Sequence, residues 1–397
     1  MMIRKSKWKD GGPMKKDNEM TVMYELKGRI DSNNAADLEK DIFNALSKYD
    51  GDSEIIIDGA SLEYISSAGL RVLLKCSKKW NKVSVIDVSP EIYEIFDVTG
   101  FTSIIDVHKK IREVSVEGLE LLGKGANGSV YRLDDERIIK VYNPVTSSLE
   151  RIAREKAAAR QAFIHDIPSA ISFELVRSGD RYGIIYEMIN ASTLGQFITA
   201  HPDKIEEYAV KMADLLKKLH STAFEDGVLP DARMGLGVWV DIAERSGYYS
   251  DELITKMREL IDDIPERNTF IHGDFHPGNI MVVDGELVLI DMTDASVGDP
   301  VIDLLGSYQI MKLLSMKRPE GGMRYTGIRN ELLSKLWDIF IRSYTGITDE
   351  KEIEEYEKKL EHYALIRSIA GITFSELVPK EALPQMTKVI TEAFLSY

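Results

Sequence analysis

The sequence predicts an α+β protein in two parts, a small α/β domain followed by a larger, two-lobed domain. Three observations carry this reading. Residues 20–112 alternate apolar strand-like runs with amphipathic helical stretches, the pattern of a small α/β layer with helices on one face. At Gly123 a Gly-x-Gly-x-x-Gly loop lies between two strand-like runs rather than at the head of a helix. Residues 269–303 then read strand, polar loop, strand, turn, strand, polar loop, and helical periodicity dominates from Leu304 onward.

Composition limits the function classes. The chain has 397 residues, which suggests two or three domains, and a composition ordinary for a globular protein. Its net charge of −15 argues against nonspecific nucleic-acid binding and against attachment to an anionic membrane. That charge is compatible with cationic substrates without pointing to one. The single cysteine, Cys76, excludes an intrachain disulfide and fits a reducing compartment. No apolar run approaches the roughly 18–20 residues of a membrane span. Residues 1–19 are basic with no apolar stretch behind them, so they are expected to be a disordered leader rather than a signal peptide. A cytoplasmic protein is the expectation.

In the first domain, 20–112, Thr21 to Leu26 alternates like a half-buried strand and ends at Lys27-Gly28. Asp31 to Asn34 offers helix-start residues for a helix from Ala35 to Tyr49, broken by Asp50-Gly51-Asp52. Glu54 to Asp58 is a buried strand, Leu70 to Trp80 a helix and Lys82 to Asp87 another strand. Ser89 then caps a helix whose first residue is Pro90. Three blocks within this domain resemble the STAS fold of anti-sigma-factor antagonists: Leu26 to Asp31, Tyr64 to Leu70, and Ser89-Pro90 with Ile95 to Phe101. The resemblance implies that Ser67 occupies the position of a regulatory, phosphorylatable serine and that the domain offers a surface to a protein partner. A phosphate suits a helix start, where free N–H groups and the helix dipole favour negative charge. The sequence departs from the family pattern at Ser66, where an Asp is expected, and at Ala68, where a second hydroxyl residue is. The plain alternative makes Ser67 only a helix N-cap.

Residues 113–117 form the boundary, and 118–189 read as a small lobe. Gly123, Gly125 and Gly128 sit in a loop followed by the strand-like Ser129 to Leu133, so the loop resembles the phosphate-covering loop of kinases. Lys140, in the strand Arg137 to Tyr142, lies where the kinase pattern puts the lysine that binds the α and β phosphates. A helix from Ser147 to His165 turns Leu149, Ile152, Ala153 and Phe163 to one side. Glu155 is the best candidate to pair with Lys140, with Glu150 as the alternative, and periodicity does not decide between them. Glu187-Met188-Ile189 follows a hairpin as the hinge, whose backbone, at Glu187 and Ile189, can read an adenine edge; Ile185 and Ile290 are candidate walls for the base.

The large lobe, 190–397, opens with a helix over Lys204 to His220 that carries a core-facing stripe. Gly227 to Asp251 reads as irregular; its Trp239, Tyr248 and Tyr249 could cage a quaternary ammonium but are more simply core. Then comes Phe270-Ile271, His272-Gly273-Asp274, Asn279, a hairpin turning at Asp284-Gly285, and Asp291 at the end of its second strand. One carboxylate, one amide and a second carboxylate around a single mouth are what phosphoryl transfer from a nucleotide needs. The stretch resembles the core of the aminoglycoside phosphotransferase and choline kinase group, relatives of protein kinases, with His-Gly-Asp, Asn, Ile290-Asp291 and Gly298-Asp299-Pro300…Asp303 in order. The resemblance implies Asp274 as catalytic base, Asn279 and Asp291 as magnesium ligands, and His272 and Asp303 as residues that shape the loop. A rival reading, His272, Asp274 and His276 as ligands of a metal, needs further His or Cys ligands, and no second cluster occurs among seven His and one Cys.

The expected function is transfer of the γ-phosphate of ATP, with Mg2+, to a hydroxyl of a small molecule, coupled to the N-terminal domain. No Ala-Pro-Glu follows Asp291, which favours a small-molecule kinase over a protein kinase. Two other classes stay open: a nucleotide-sensing regulatory protein, and a protein kinase acting on Ser67. Loop glycines and helix residues carry no motif for the acceptor, whose identity the sequence leaves open.

Overall fold

The computed structural model describes residues 21–49, 53–125, 127–144, 148–225, 227–317, 320–374 and 380–397. The expected leader 1–19, the break at Asp50-Gly51-Asp52, Ala126 of the glycine loop and the helix start at Ser147 lie outside them. Contacts divide the chain into two units. One holds the residues up to Ser115 with Asn143–Ser148 and Leu175–Tyr182; the other holds Val116–Tyr142, Leu149–Glu174 and Gly183–Tyr397.

The first unit runs β1 (Thr21–Ile30), α1 (Ala35–Ala45), β2 (Glu54–Ile65), α2 (Ser67–Lys79), β3 (Lys82–Val88), α3 (Pro90–Val98), β4 (Asp106–Lys109) and the short β5 (Arg112–Glu113). β1 to β4 form a parallel sheet in sequence order. β2 buries alternate residues, with Ile55 and Ile57 inward and Glu54, Ile56 and Asp58 half-buried, so the core lies on one face of the sheet. Two strands outrun their sequence boundaries. β1 continues past Lys27-Gly28 through register shifts between Glu25 and Lys27 and between Gly28 and Arg29, and Gly28 takes φ 64°. β2 continues through Gly59, where a Cβ would meet Val88 Cγ1 at 2.5 Å. Ser89 Oγ accepts from the Ile92 N–H at 3.3 Å, with Pro90 at the first position of α3. At α2 the cap is Ser66, whose Oγ accepts from the Ala68 N–H at 3.2 Å; Ser67 is the first helical residue and is exposed.

In the second unit β6 (Leu121–Lys124), β7 (Gly128–Arg132) and β8 (Arg137–Tyr142) make an antiparallel meander. α4 (Leu149–Ile164) follows; β9 (Ser172–Ser178) and β10 (Arg181–Glu187) come next, their segment Leu175–Tyr182 counted with the first unit, and Gly183–Glu187 of β10 pairs antiparallel with β8. The remainder is built on helices: α5 (Leu194–Ala200) after the two-residue β11 (Ser192–Thr193), then α6 (Ile205–Ser221), α7 (Ala232–Ser246) and α8 (Asp251–Asp262). β12 (Thr269–Ile271), β13 (Ile280–Val283), β14 (Glu286–Leu289) and β15 (Ser296–Gly298) carry the polar loops. α9 (Val301–Tyr308), α10 (Leu314–Lys317), α11 (Gly321–Thr326), α12 (Asn330–Thr345), α13 (Glu350–Phe374) and α14 (Leu383–Leu395) close the chain. No helix among the described residues is long and apolar enough to cross a membrane.

The stretch expected to be irregular, Gly227 to Asp251, holds α7. Ala232, Leu236, Val240 and Ala243 form its buried stripe, the Asp231 carboxylate caps it at the Arg233 N–H (2.8 Å), and Gly247 ends it at φ 71°. Periodic burial outweighs the low helix propensity of Gly235 and Gly237.

Candidate active site

Two hairpin-like pairings bring the polar positions together. β13 and β14 join through Asp284 (φ 50°) and Gly285 (φ 87°), a two-residue turn with both residues left-handed, as its sequence predicts. The Ile290 N–H then donates to the Asn279 carbonyl at 3.0 Å, which sets Asp291 beside Asn279. β12 pairs antiparallel with β15, so the start of α9 returns to the mouth of β12. Asp303, in the first turn of α9, is thereby placed against His272 and Gly273.

Asp303 is fully buried. Its Oδ2 accepts from the His272 N–H at 2.9 Å and its Oδ1 from the Gly273 N–H at 2.7 Å. His220 Nε2 lies 3.1 Å from the same Oδ2, and His220 Nδ1 is 2.7 Å from the Tyr344 hydroxyl. Gly273 sits at φ 82°, and a Cβ there would meet the Asp294 carbonyl at 2.5 Å, so only glycine fits. The His272 ring accepts from the Asp274 N–H at Nδ1 (3.3 Å), which leaves Nε2 to donate to the Ile290 carbonyl at 3.2 Å. The loop is thus tied at both ends by buried groups.

Asp274 projects from this loop. Asn279 Nδ2 donates to its Oδ2 and to its backbone carbonyl, both at 3.0 Å. His276 Nδ1 accepts from the Gly278 N–H at 3.1 Å, so Nε2 carries the proton and points at Asp274 Oδ2, 3.4 Å away. Burial alone would raise the Asp274 pKa; the hydrogen bond from His276, with the positive charge of Arg367, outweighs it and holds the carboxyl well below the usual range. With Oδ2 engaged, Oδ1 makes no hydrogen bond among the described residues. The three-ligand metal reading of His272, Asp274 and His276 fails here, because both imidazole Nδ1 atoms are committed to backbone N–H groups; no cluster of His, Cys, Asp or Glu suited to a metal occurs among the described residues.

A second group forms around Lys140. Its Nζ lies 2.9 Å from Glu155 Oε1, 2.8 Å from Asp291 Oδ1 and 3.4 Å from Thr293 Oγ1. The Thr293 hydroxyl donates to Glu155 Oε2 at 2.7 Å and packs against Asp291 Oδ1, and the Tyr186 hydroxyl donates to Glu155 Oε1 at 2.8 Å. Of the two candidate glutamates, the structure sets Glu155 against Lys140; the Glu150 side chain is 81% exposed and pairs with Arg154. Burial works against the Lys140 charge, but Asp291 and Glu155 more than offset it and raise the lysine pKa. Burial likewise opposes the Asp291 charge, and Lys140 and Thr293 lower its pKa overall. Asp291 itself sits at φ 64°, a backbone state that Asp tolerates better than most residues.

The family models decide what this arrangement belongs to. The model of the phosphotransferase enzyme family (APH) matches residues 118–329, and the STAS domain model matches 13–114. The chain belongs to the phosphotransferase enzyme family. Its STAS domain is 36% identical over 86 residues, 21% of this chain and 72% of the other, to the curated "Putative anti-sigma factor antagonist BtrV" of Bordetella bronchiseptica. Similar solved structures include an ADP-bound aminoglycoside phosphotransferase APH(2'')-Ib (19% identity, 77% of this chain and 99% of that one, TM-score 0.46). Another is a choline/ethanolamine kinase family protein from Mesorhizobium loti (15% identity, 71% and 89%, TM-score 0.46).

Other sequence-predicted positions of the phosphotransferase divide. In the glycine loop the Gly125 N–H donates to the Gly128 carbonyl at 2.8 Å. A Cβ on Gly123 or Gly125 would enter open space, whereas one on Gly128 would meet the Val141 carbonyl at 2.3 Å. Gly128 is therefore required by its close approach to β8. At the hinge the Glu187 N–H donates to Ile171 at 3.0 Å and the Met188 N–H to Glu136 at 2.7 Å; the Ile189 N–H makes no backbone hydrogen bond among the described residues. Lys140 pairs with Ile184 and Ile138 with Tyr186, so these four share a face, and Ile185, opposite Ile139, lies on the other one. Ile138, not Ile185, shares the face of Lys140. Sequence reasoning also missed Thr293, Tyr186, His276 as a partner of Asp274, and His220. None of these sits in a motif.

Proposed function

We propose that this phosphotransferase moves the γ-phosphate of ATP to a hydroxyl of a small molecule, with magnesium, and that its STAS domain (20–112, joined through 113–117) couples the reaction to a protein partner. The supporting observation is the convergence of Lys140, Glu155 and Asp291 on one side of the mouth with Asp274 and Asn279 on the other. Asp274 Oδ1 receives the proton of the acceptor hydroxyl while Asn279 and His276 hold Oδ2. The oxygen so freed attacks the γ-phosphorus, and the bond from phosphorus to the β–γ bridging oxygen breaks, releasing ADP. Lys140 holds the α and β phosphates, and Gly123 and Gly125 leave room above them. The Glu187 carbonyl and Ile189 N–H read the adenine edge, under Ile138.

The oxygen donors fit a hard divalent cation: Asn279 Oδ1 and Asp291 Oδ2 make no hydrogen bond among the described residues, while the other polar atoms of both side chains are held by Asp274 and by Lys140 with Thr293. Bound there, magnesium would neutralise charge on the transferring phosphate. His272 and Asp303 fix the loop that carries Asp274.

Incubating the protein with γ-labelled ATP, magnesium and a metabolite extract tests the proposal, with Asp274→Ala beside it. Label on a small molecule in the wild type only is the expected result; equal turnover in Asp274→Ala would overturn the role of Asp274. Ser67 is exposed at the first turn of a helix, which favours a second reading in which the label lands there. Bound ATP with no transfer to any acceptor would instead support a nucleotide sensor.

A further inference from the structure

Arg367 of α13 stands beside the mouth with no hydrogen-bond or ion-pair partner among the described residues. Its Nε is buried with no acceptor. Buried donors in folded proteins are almost always paired, so an orphan of this kind asks for an explanation. Three helices hold the group in place. The Trp239 ring of α7 lies with its centroid 5.6 Å from the Arg367 Cζ. On α9, Gly306 makes room: a Cβ there would come within 3.0 Å of Arg367 Nη1, and within 3.9 Å of the Gly273 carbonyl in the loop that carries Asp274. The charge of Arg367 is felt at both Asp274 and Asp294. The Trp239 face that the sequence offered to a cationic ligand is thus taken by the protein's own cation.

We propose that Arg367 reads an oxyanion on the acceptor, so that the phosphotransferase acts on a small molecule bearing a carboxylate or phosphate beside the hydroxyl presented to Asp274. The inference rests on the phosphotransferase reading of this site. A guanidinium presents a planar fork of donors that matches both oxyanions, and here no carboxylate among the described residues lies within ion-pair distance of the fork. The residues assigned to the nucleotide phosphates, Lys140 and the glycine loop, come from β6 to β8. Those that hold Arg367 come from α7, α9 and α13. An oxyanion here therefore belongs to the acceptor and not to the nucleotide. The net charge of −15 does not contradict this, because a bound oxyanion is read by the donors within hydrogen-bond reach of it and not by the charge of the whole chain.

The test titrates the full-length protein with orthophosphate and, separately, with acetate, following tryptophan emission. Each titration is done with and without AMP-PNP and magnesium, which fill the γ-phosphate position. A Trp239→Phe control shows which part of the signal comes from beside Arg367. The expected result is a saturable change that survives AMP-PNP and is weakened about ten- to hundredfold in Arg367→Met, the range for loss of charge-assisted hydrogen bonds. Arg367→Lys, which keeps the charge but not the fork, should fall between. A response to phosphate alone assigns a phosphorylated acceptor, and a response to acetate as well admits a carboxylate. Loss of the signal with AMP-PNP, its persistence in Arg367→Met, or its absence from the wild type would overturn the proposal. AMP-PNP binding, measured by calorimetry in the same samples, separates the two levels: no binding there would sink the phosphotransferase reading itself, whereas normal binding with a failed anion titration sinks only the role of Arg367.

Discussion

Replacing Asp303 tests whether the loop that presents Asp274 is held from below. The carboxylate accepts two buried backbone N–H groups, from His272 and Gly273, and faces His220. Hydrogen bonds to a charged group contribute about 1.5–3 kcal/mol each, so Asp303→Ala should cost about 3–6 kcal/mol. A typical domain has only about 5–15 kcal/mol to lose, so the alanine variant will sit near the edge of folding. Asp303→Asn is the more informative change. One oxygen remains to accept one N–H, while the new amide NH2 confronts the other donor, and the expected loss is about 2–3 kcal/mol. Urea unfolding in a Trp8→Phe, Trp80→Phe background reads this loss, because the remaining Trp239 and Trp337 report on the second unit. Turnover should fall further than stability explains, since a displaced loop misplaces Asp274. If Asp303→Ala unfolds within about 0.5 kcal/mol of the parent, as an ordinary surface substitution would, the buried ties carry no load and the account of the loop is wrong.

Two glycines of the phosphate loop should part company. Gly125→Ala points into open space and should leave the melting temperature unchanged while weakening nucleotide binding; Gly128→Ala drives a Cβ to 2.3 Å from the Val141 carbonyl and should destabilise the β7–β8 pair, seen by thermal melting without nucleotide. The folded Asp291 pKa lies below its ordinary value, so its contribution to stability is complete above the unfolded value near 3.8 and is lost as pH falls through the folded one. Wild type should therefore lose more stability than Asp291→Asn between pH 5 and about pH 2, and equal slopes in acid denaturation would count against the Lys140–Asp291 pair.

Much of the site was legible because phosphoryl transfer requires particular side chains at particular strand ends, and strand ends are marked by apolar runs and turn residues. Asp284-Gly285 announces its turn chemically, and the pairing it enforces sets Asp291 by Asn279. The helix facing Lys140 was harder, for a physical reason. Its conspicuous apolar residues, Leu149 and Phe163, are 37% and 56% exposed, while the buried face is made of Ile152, Ala158, Ala159, Ala162 and Glu155. Alanines contribute little to a hydrophobic pattern, so the stripe that contains Glu155 is quiet. The same quietness hid α7, whose Gly235, Gly237 and Trp239 outshout Ala232 and Ala243.

What no local pattern could show is the set of partners that arrive from far along the chain. Thr293 joins Lys140, Glu155 and Asp291 into one hydrogen-bonded group, and His220, fifty-two positions before His272, reaches the same Asp303 that holds the loop. His220 lies on α6, whose own apolar stripe explains its fold without reference to the site, and Thr293 lies in the turn between β14 and β15. His276 is the instructive middle case. Spacing alone offered it as a metal ligand, but its Nδ1 is occupied by the Gly278 N–H and its Nε2 turns to Asp274. A histidine whose acceptor nitrogen is held by the backbone can only donate from the other, so here it restrains a carboxylate. The same donor favours the ionised form of Asp274, the form that its proposed role as base requires.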